Sequence, residues 1–482
     1  MNKINFSSCG RRAVALNRRE FLAKSAFGFG ALAFGSLLSR DSVCGAVKSA
    51  TANPLASTPP HFPARARNVI FLFMQGGPSH IDTFDPKPEL QRQDGQPLPD
   101  SFKVDDLSLQ FMKATDGKLM GSSFPFKKYG QSGLEISDLF QNVARHADDL
   151  AVIRSCYHDS FIHGPALSLL HSGSILLGHP SAGSWVLYGL GSESENLPAY
   201  IVMTDGSIRI SSSAYSSGFL PAIYQGTLVR TGGAPIQNLT PRFDATSQRT
   251  LLDQINQWNQ RHLAERADDY RLSAQLANYE LAFRMQTAAP ELIDISKEST
   301  STRKMYGVEK EPTAKFGRMC LLARRMVERG VRFVQLYNSD WDGHGECGKN
   351  HWENAQKIDQ PIAALLGDLK QRGLLETTLV IWAGEFGRTP VMQGNKGRDH
   401  NPYGFTVWLA GGGIRGGKVI GATDEFGFRA VEDKVHVHDL HATMLGLLGL
   451  EHEKLTYLFE GREQRLTDVG GDNNLVGRLV HA

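Results

Sequence analysis

The chain has 482 residues, 41% apolar and 21% charged, with 49 glycines and 21 prolines. That composition is globular and excludes a disordered tail protein, a coiled coil, a collagen-like chain and a multispanning membrane protein. The net charge of +2 is uneven: residues 1–50 hold 8 Lys and Arg against 2 Asp and Glu, so the rest of the chain is slightly acidic. A body without basic excess gives no reason to expect a nucleic-acid partner.

The amino-terminal segment carries the first signal. Arg18-Arg19-Glu20-Phe21-Leu22 precede an uncharged stretch from Ser25 to Ser39, rich in Gly, Ala, Phe and Leu. A bilayer span needs about 20 apolar residues, so no transmembrane span is expected in the mature protein. A charged start and a short apolar centre predict an export signal over 1–52. The Arg-Arg-x-Phe-Leu spacing resembles the twin-arginine type. The expected partner is the twin-arginine export machinery, and the expected location is periplasmic or secreted. Cys9 and Cys44 lie in this segment, while Cys156, Cys320 and Cys347 are widely spaced. No disulfide framework follows from them, so the core must stabilise the protein.

Residues 53–65 predict a linker to one domain over 66–482. Asn68–Met74 is a continuous apolar run broken at Gly76-Gly77-Pro78, as expected of a strand covered on both faces. Similar runs are Leu150–Ser155, Ala199–Met203, Val331–Tyr337, Thr378–Ala383 and Phe405–Ala410. Helical patterns lie between or after them at 163–172, 182–190, 312–329, 355–372 and 438–449. This alternation predicts a doubly wound α/β fold. Residues 248–286 are amphipathic and free of Pro and Gly, which predicts one or two inserted surface helices. Residues 91–135 and 204–246 lack clear periodicity and predict long functional loops.

Ligands of open α/β sheets lie beyond the carboxyl ends of the strands. The polar residues just after each predicted strand are His80, Asp82 and Asp85; His158, Asp159, Ser160 and His163; Asp340, Asp342, His344 and His351; and Glu385 and Arg388. Arg398, Asp399 and His400 come just before the last strand. Carboxylate and imidazole form the ligand set of Zn²⁺, Mn²⁺ and related ions. Two such ions about 4 Å apart hold the attacking and leaving oxygens of a phosphoryl or sulfuryl ester. Asp82 also suits an Asx turn, and Arg388 suits a bidentate oxyanion clamp. His436-Val437-His438 put two imidazoles on one strand face, but His438-Asp439-Leu440 fits a helix start better.

Phe73–Asp85, Tyr337–His344, Glu385–Pro390, Gly397–Pro402 and Gly411–Asp424 resemble an exported bacterial family known only as domain of unknown function 1501. Gly218–Thr227 and Asp439–Asp468 resemble it too. That family is related to sulfatases and the alkaline phosphatase superfamily. The resemblance implies an alkaline-phosphatase-like α/β/α sandwich with a mostly parallel central sheet. It implies a divalent metal (Zn, Mn, Mg or Ca) at Asp82, Asp342, His344, Glu385, Asp399 and His400, with Asp340 as an alternative to Asp342. Sulfatases open a helix with Cys-x-Pro-Ser-Arg. Here the stretch is His163-Gly164-Pro165-Ala166-Leu167, so His163 stands at the nucleophile position, as ligand or nitrogen nucleophile. Ser160 is a nearby substitute off the motif. Phe386 stands where a second metal-binding His is expected, which implies one metal or an altered second site. The resulting expectation is an exported hydrolase of phosphate or sulfate esters, on a small molecule or polysaccharide, with His163, Arg388 and Arg398 catalytic. The alternative is a catalytically degenerate binding or scaffolding protein on the same fold.

Overall fold

Strand β1 (Asn68–Met74) is buried at every position. Val69, Phe71 and Phe73 belong to one core cluster, with Leu167, Trp185 and Leu445. Ile70, Leu72 and Met74 belong to a second, with Met319, Leu322 and Leu365. A strand alternates its side chains between faces, so burial at every position means a covering layer on each side. The computed structural model in which this is seen describes residues 55–99, 117–230, 243–265, 270–468, 470–471 and 475–480. The expected export signal over 1–52 lies outside them, as do parts of the stretches 91–135 and 204–246.

After β1, β2 (Phe126–Tyr129) and β3 (Leu134–Ser137) form a hairpin. Then follow β4 (Leu150–Tyr157), β5 (Tyr200–Thr204), β6 (Thr227–Arg230), β7 (Phe333–Asn338), β8 (Thr378–Ala383), β9 (Gly387–Gln393), β10 (Gly397–Asn401), β11 (Phe405–Gly411) and β12 (Lys418–Ile420). Among the described residues the central sheet has nine strands, ordered β12-β4-β11-β8-β1-β7-β5-β6, with Val435–His436 also paired to β4. Every pairing is parallel except those of β11 with β4 and β8.

The direction of β11 matters for function. Residues that follow β1, β4, β5, β7 and β8 gather at one edge of the sheet. Because β11 runs the other way, residues that precede it reach the same edge. The β9–β10 ribbon is therefore delivered there, and a register shift between Arg398 and His400 marks a bulge in it. Bulges re-aim side chains beside a site.

Helices α1 (His163–Ser172), α2 (Ala182–Leu190) and α5 (Val437–Leu447) cover one face of the sheet, and α3 (Ala314–Val327) and α4 (Cys347–Gln371) the other. The expected α/β/α sandwich with a mostly parallel sheet is the observed architecture. Local chemistry sets the helix ends. α1 stops at Gly173, whose φ of 70° suits a residue without a Cβ. The Ser181 hydroxyl caps α2 by accepting from Ser184 N. His436 and Asp439 form a reciprocal capping box on α5, so the His-Val-His stretch is a helix start.

Two features differ from expectation, the start of α4 and the stretch 53–65, and an expected helical insertion extends a little beyond its expected bounds. α4 starts at Cys347 rather than near 355, because its first turns are polar and show no apolar period, although Cys347, His351 and Asn354 are buried. The region expected as one or two helices is Ala245–Glu265 and Tyr270–Ile293. The stretch 53–65, expected as a linker, is tied to the domain from Leu55 onward: Thr58 N donates to Leu190 O and Arg65 N to Leu447 O, both at 2.9 Å. Among the described residues no helix is long and apolar enough to cross a membrane.

Candidate metal centre

Four side chains converge at that edge. His163 opens α1 after β4, Asp342 and His344 follow β7, and His400 sits on β10 ahead of β11. One ligand atom from each lies within 4.8 Å of the others. Two glycines permit the approach. A Cβ on Gly76 (φ 120°) would lie 2.6 Å from Asp342 N. A Cβ on Gly397 would lie 2.2 Å from the His344 carbonyl carbon. Neither position tolerates a side chain without moving a ligand-bearing segment.

The proton positions say what the cluster needs. Carboxylate and carbonyl oxygens only accept hydrogen bonds. His163 Nδ1 therefore donates to Glu385 Oε1 at 2.7 Å, and His400 Nδ1 to Phe161 O at 2.7 Å. His344 Nδ1 likewise donates to Gln393 Oε1 at 2.7 Å. Each neutral ring then turns the lone pair of Nε2 inward. His344 Nε2 and His400 Nε2 face each other at 2.9 Å, and His163 Nε2 lies 3.1 Å from Asp342 Oδ2. His344 Nε2 and His400 Nε2 lie 3.1 and 3.4 Å from Asp342 Oδ1. Three nitrogen lone pairs and a carboxylate facing one another repel unless a positive charge sits among them. Imidazoles oriented through the remote nitrogen by oxygen acceptors are the usual support of a metal site. The residues thus fit a divalent cation.

Titration follows the same logic. With no cation among them, the Nε2 atoms that carry a proton donate it to Asp342: burial opposes ionisation of that carboxyl, but hydrogen bonds from His163, His344 and His400 and the Arg388 charge outweigh it, holding it far below its usual range. Burial disfavours charge on His163 too, yet its bonds to Asp342 and Glu385 prevail and raise its pKa. The Asp342 hydrogen bond likewise raises His344. Without a cation, protons are drawn to the cluster instead.

The other expected site residues fall into distinct places. Glu385 is fully buried behind His163 and also accepts from Gly76 N at 2.9 and 3.0 Å. It orients the His163 ring rather than joining the converging four. Asp399 Oδ1 accepts from His400 N at 2.8 Å and lies 3.9 Å from His344 Nδ1. Phe386 stacks on His400 with ring centres 4.3 Å apart and touches His163 at 4.9 Å, forming an apolar wall. His158 donates to the Glu385 carbonyl, and Ser160 Oγ lies 3.4 Å from Ile162 O.

Asp82 is outside the cluster. It accepts from Ser79 Oγ at 2.5 Å and Arg398 Nε at 2.9 Å in a buried ion pair. Arg388 and Arg398 are not placed as oxyanion clamps. Both are 0% exposed. Arg388 donates to Gly76 O, Gly77 O, Arg398 O and Asp342 Oδ1, and Arg398 to Asp82, Thr389 O and Gly121 O. Each nitrogen of both groups is engaged by a protein oxygen. Asp340 has φ 77° and offers its carbonyl to Asn350 and Asn354.

Sequence reasoning passed over Arg209, whose Nη2 donates to Asp342 Oδ2 at 2.8 Å. Its only signal was position, five residues past β5 within a loop without periodicity. Gln75 and Gln393 were also missed, since a glutamine neither ligates nor titrates.

Residues 66–479 match the sequence model described as "Protein of unknown function (DUF1501)", and the chain belongs to that family. No curated protein matches it. Among solved structures it is similar to the PsFucS1 sulfatase from Pseudoalteromonas sp. (13% identity, TM-score 0.35, 81% of this chain and 69% of that one). It is also similar to the lipoteichoic acid synthase LtaP from Listeria monocytogenes (8%, 0.35, 83% and 76%) and to alkaline phosphatase from the Antarctic bacterium TAB5 (12%, 0.30, 81% and 99%).

Proposed function

We propose that the protein is an exported metal-dependent hydrolase of phosphate or sulfate esters. The observation that carries this reading is the convergence of three inward-facing imidazole Nε2 atoms on the Asp342 carboxylate. His163, Asp342, His344 and His400 would hold the ion. A donor set of three nitrogens and one carboxylate suits zinc and neighbouring transition ions better than calcium or magnesium, which favour all-oxygen sites. Such an ion supplies Lewis acidity toward an ester oxygen and makes water more acidic.

The chain's own groups set the stage for that chemistry. Glu385 keeps a proton on His163 Nδ1, so Nε2 stays available. His400 is held the same way by the Phe161 carbonyl. Phe386 keeps water from one side of both rings. Arg388 fixes the Asp342 carboxylate from below through a contact of 2.7 Å. The placement favours His163 as ligand over nucleophile, since its Nε2 already points into the cluster. Export through the twin-arginine route to a periplasmic or secreted location belongs to the same proposal, motivated by Arg18-Arg19 and the apolar stretch after them.

The test is metal analysis of the purified protein combined with turnover of aryl phosphates and aryl sulfates. Bound transition metal and turnover, both lost in His400→Ala, are expected. A protein with no metal and no turnover overturns the reading. A second reading, a metal-holding binding protein without turnover, draws on the lack of any hydroxyl or thiol among the four converging groups. It predicts metal without hydrolysis.

A further inference from the structure

Resting on the hydrolase reading, we propose that Arg209 grips the anionic end of the substrate, and that its ion pair with Asp342 is the contact a phosphoryl or sulfuryl oxygen replaces. Three guanidinium groups lie at or next to the cluster, and they differ in what they have left to give. A guanidinium carries five N–H donors in a planar fork. Arg388 and Arg398 commit every nitrogen to protein oxygens and are wholly buried. The Arg209 side chain is 36% exposed. Among the described residues its guanidinium has one side-chain acceptor, Asp342 Oδ2. The rest of the fork is available to a ligand.

The backbone under Arg209 is fixed while the side chain is not. Gln75, at the end of β1, accepts from Arg209 N at 2.8 Å and donates to Ser207 O at 2.9 Å. Ile208 and Ile210, on either side, pack against the core. The arm therefore swings from a fixed shoulder. A partly exposed ion pair contributes little to stability. Its hold on Asp342 uses one nitrogen, whereas a bidentate grip on a tetrahedral oxyanion makes two charge-assisted bonds. The exchange of Asp342 for a ligand oxygen is thus favourable, and it would release Oδ2 of Asp342, one of the residues that would hold the ion. A neutral ester offers no such replacement, so the site selects esters with a charged terminal group.

The test uses the full mature chain loaded with metal, titrated calorimetrically with inorganic phosphate and, separately, inorganic sulfate. Metal content is measured on the same samples of wild type, Arg209→Ala and Arg209→Lys. Arg209→Ala is expected to weaken at least one anion by about 10- to 100-fold at unchanged metal content. Arg209→Lys, with the charge but not the fork, should recover part of the loss. The anion whose affinity depends on Arg209 identifies the ester type, and turnover of that ester should show the loss in KM. Wild-type anion affinity in Arg209→Ala, or no anion binding by metal-loaded wild type, overturns the proposal while leaving the metal site standing. Metal loss in Arg209→Ala also overturns it, by making the residue a prop for Asp342. A wild type that takes up no metal removes the hydrolase reading and this proposal with it.

Discussion

His163 Nδ1 and Glu385 Oε1 meet at 2.7 Å, and the Gly76 amide donates to both oxygens of the same carboxylate at 2.9 and 3.0 Å. Glu385 thus joins the end of β1 to the start of α1 through one buried group. Glu385→Gln keeps an oxygen for His163 and for Gly76 but removes the charge that makes Nε2 a better donor to metal. Substitutions of such supporting groups cost roughly 10- to 100-fold in metal affinity. Competition titration against a chelator should show a loss of that size with the fold intact by circular dichroism. Unchanged affinity would remove His163 from the ligand set.

Asp82 and Arg398 form a separate, fully buried pair. Arg398→Met leaves the Asp82 carboxylate buried without its cation, a change that costs about 3–5 kcal/mol. Asp82→Asn should lower stability less and leave metal content at the wild-type value. Urea unfolding and metal analysis of the two variants measure both effects. Metal loss in Asp82→Asn would return this carboxylate to the metal site.

These two cases show which parts of the site were legible in the sequence. Asp342, His344 and Glu385 follow strands whose apolar runs are continuous, so the rule about carboxyl ends finds them. His400 is found only by allowing for residues ahead of a strand, and the antiparallel direction of β11 is the reason they belong. Asp82 follows β1 just as plainly, yet β10 brings Arg398 against it, and strand position says nothing about a partner 316 residues away. Arg388 and Arg398 have the chemistry of an oxyanion clamp but spend it on backbone carbonyls, which sequence does not record. Arg209 lay in a loop without period. The sheet was legible because β1 after Asn68 and β8 after Thr378 are unbroken apolar runs, buried at every position. The hairpin Phe126–Ser137 was not, because Lys127, Lys128 and Glu135 leave it without an apolar face on one side.

Metal removal should lower stability. The three inward lone pairs repel one another, and a ligand present at 100 times its Kd contributes about 2.7 kcal/mol by mass action. Thermal unfolding of metal-loaded protein should shift down by a few degrees on chelation and recover on addition of zinc or manganese. His400→Ala should unfold at a temperature that no longer responds to metal. An identical response in that variant would place the stabilising ion elsewhere.

Stability should also fall in acid for a reason separate from the metal. His441 is buried on α5, where its Nε2 donates to Leu170 O at 2.8 Å. Among the described residues its Nδ1 has no hydrogen-bond partner. Burial pushes its pKa down from 6.5 to about 3, and burial does the same to His171. Above the unfolded value of about 6.5 the ring is neutral in both states and adds no pH dependence. Below it the unfolded chain takes a proton that the folded chain refuses, so stability falls as pH drops, by up to about 1.4 kcal/mol per pH unit for each such ring. The fall continues until the folded pKa, near 3, is reached. His441→Gln keeps a donor for Leu170 O and removes the titration. Urea unfolding at pH 7, 6 and 5 should show a slope reduced by about one proton in this variant. An unchanged slope would mean that His441 is charged in the folded protein despite its burial, and would overturn the prediction.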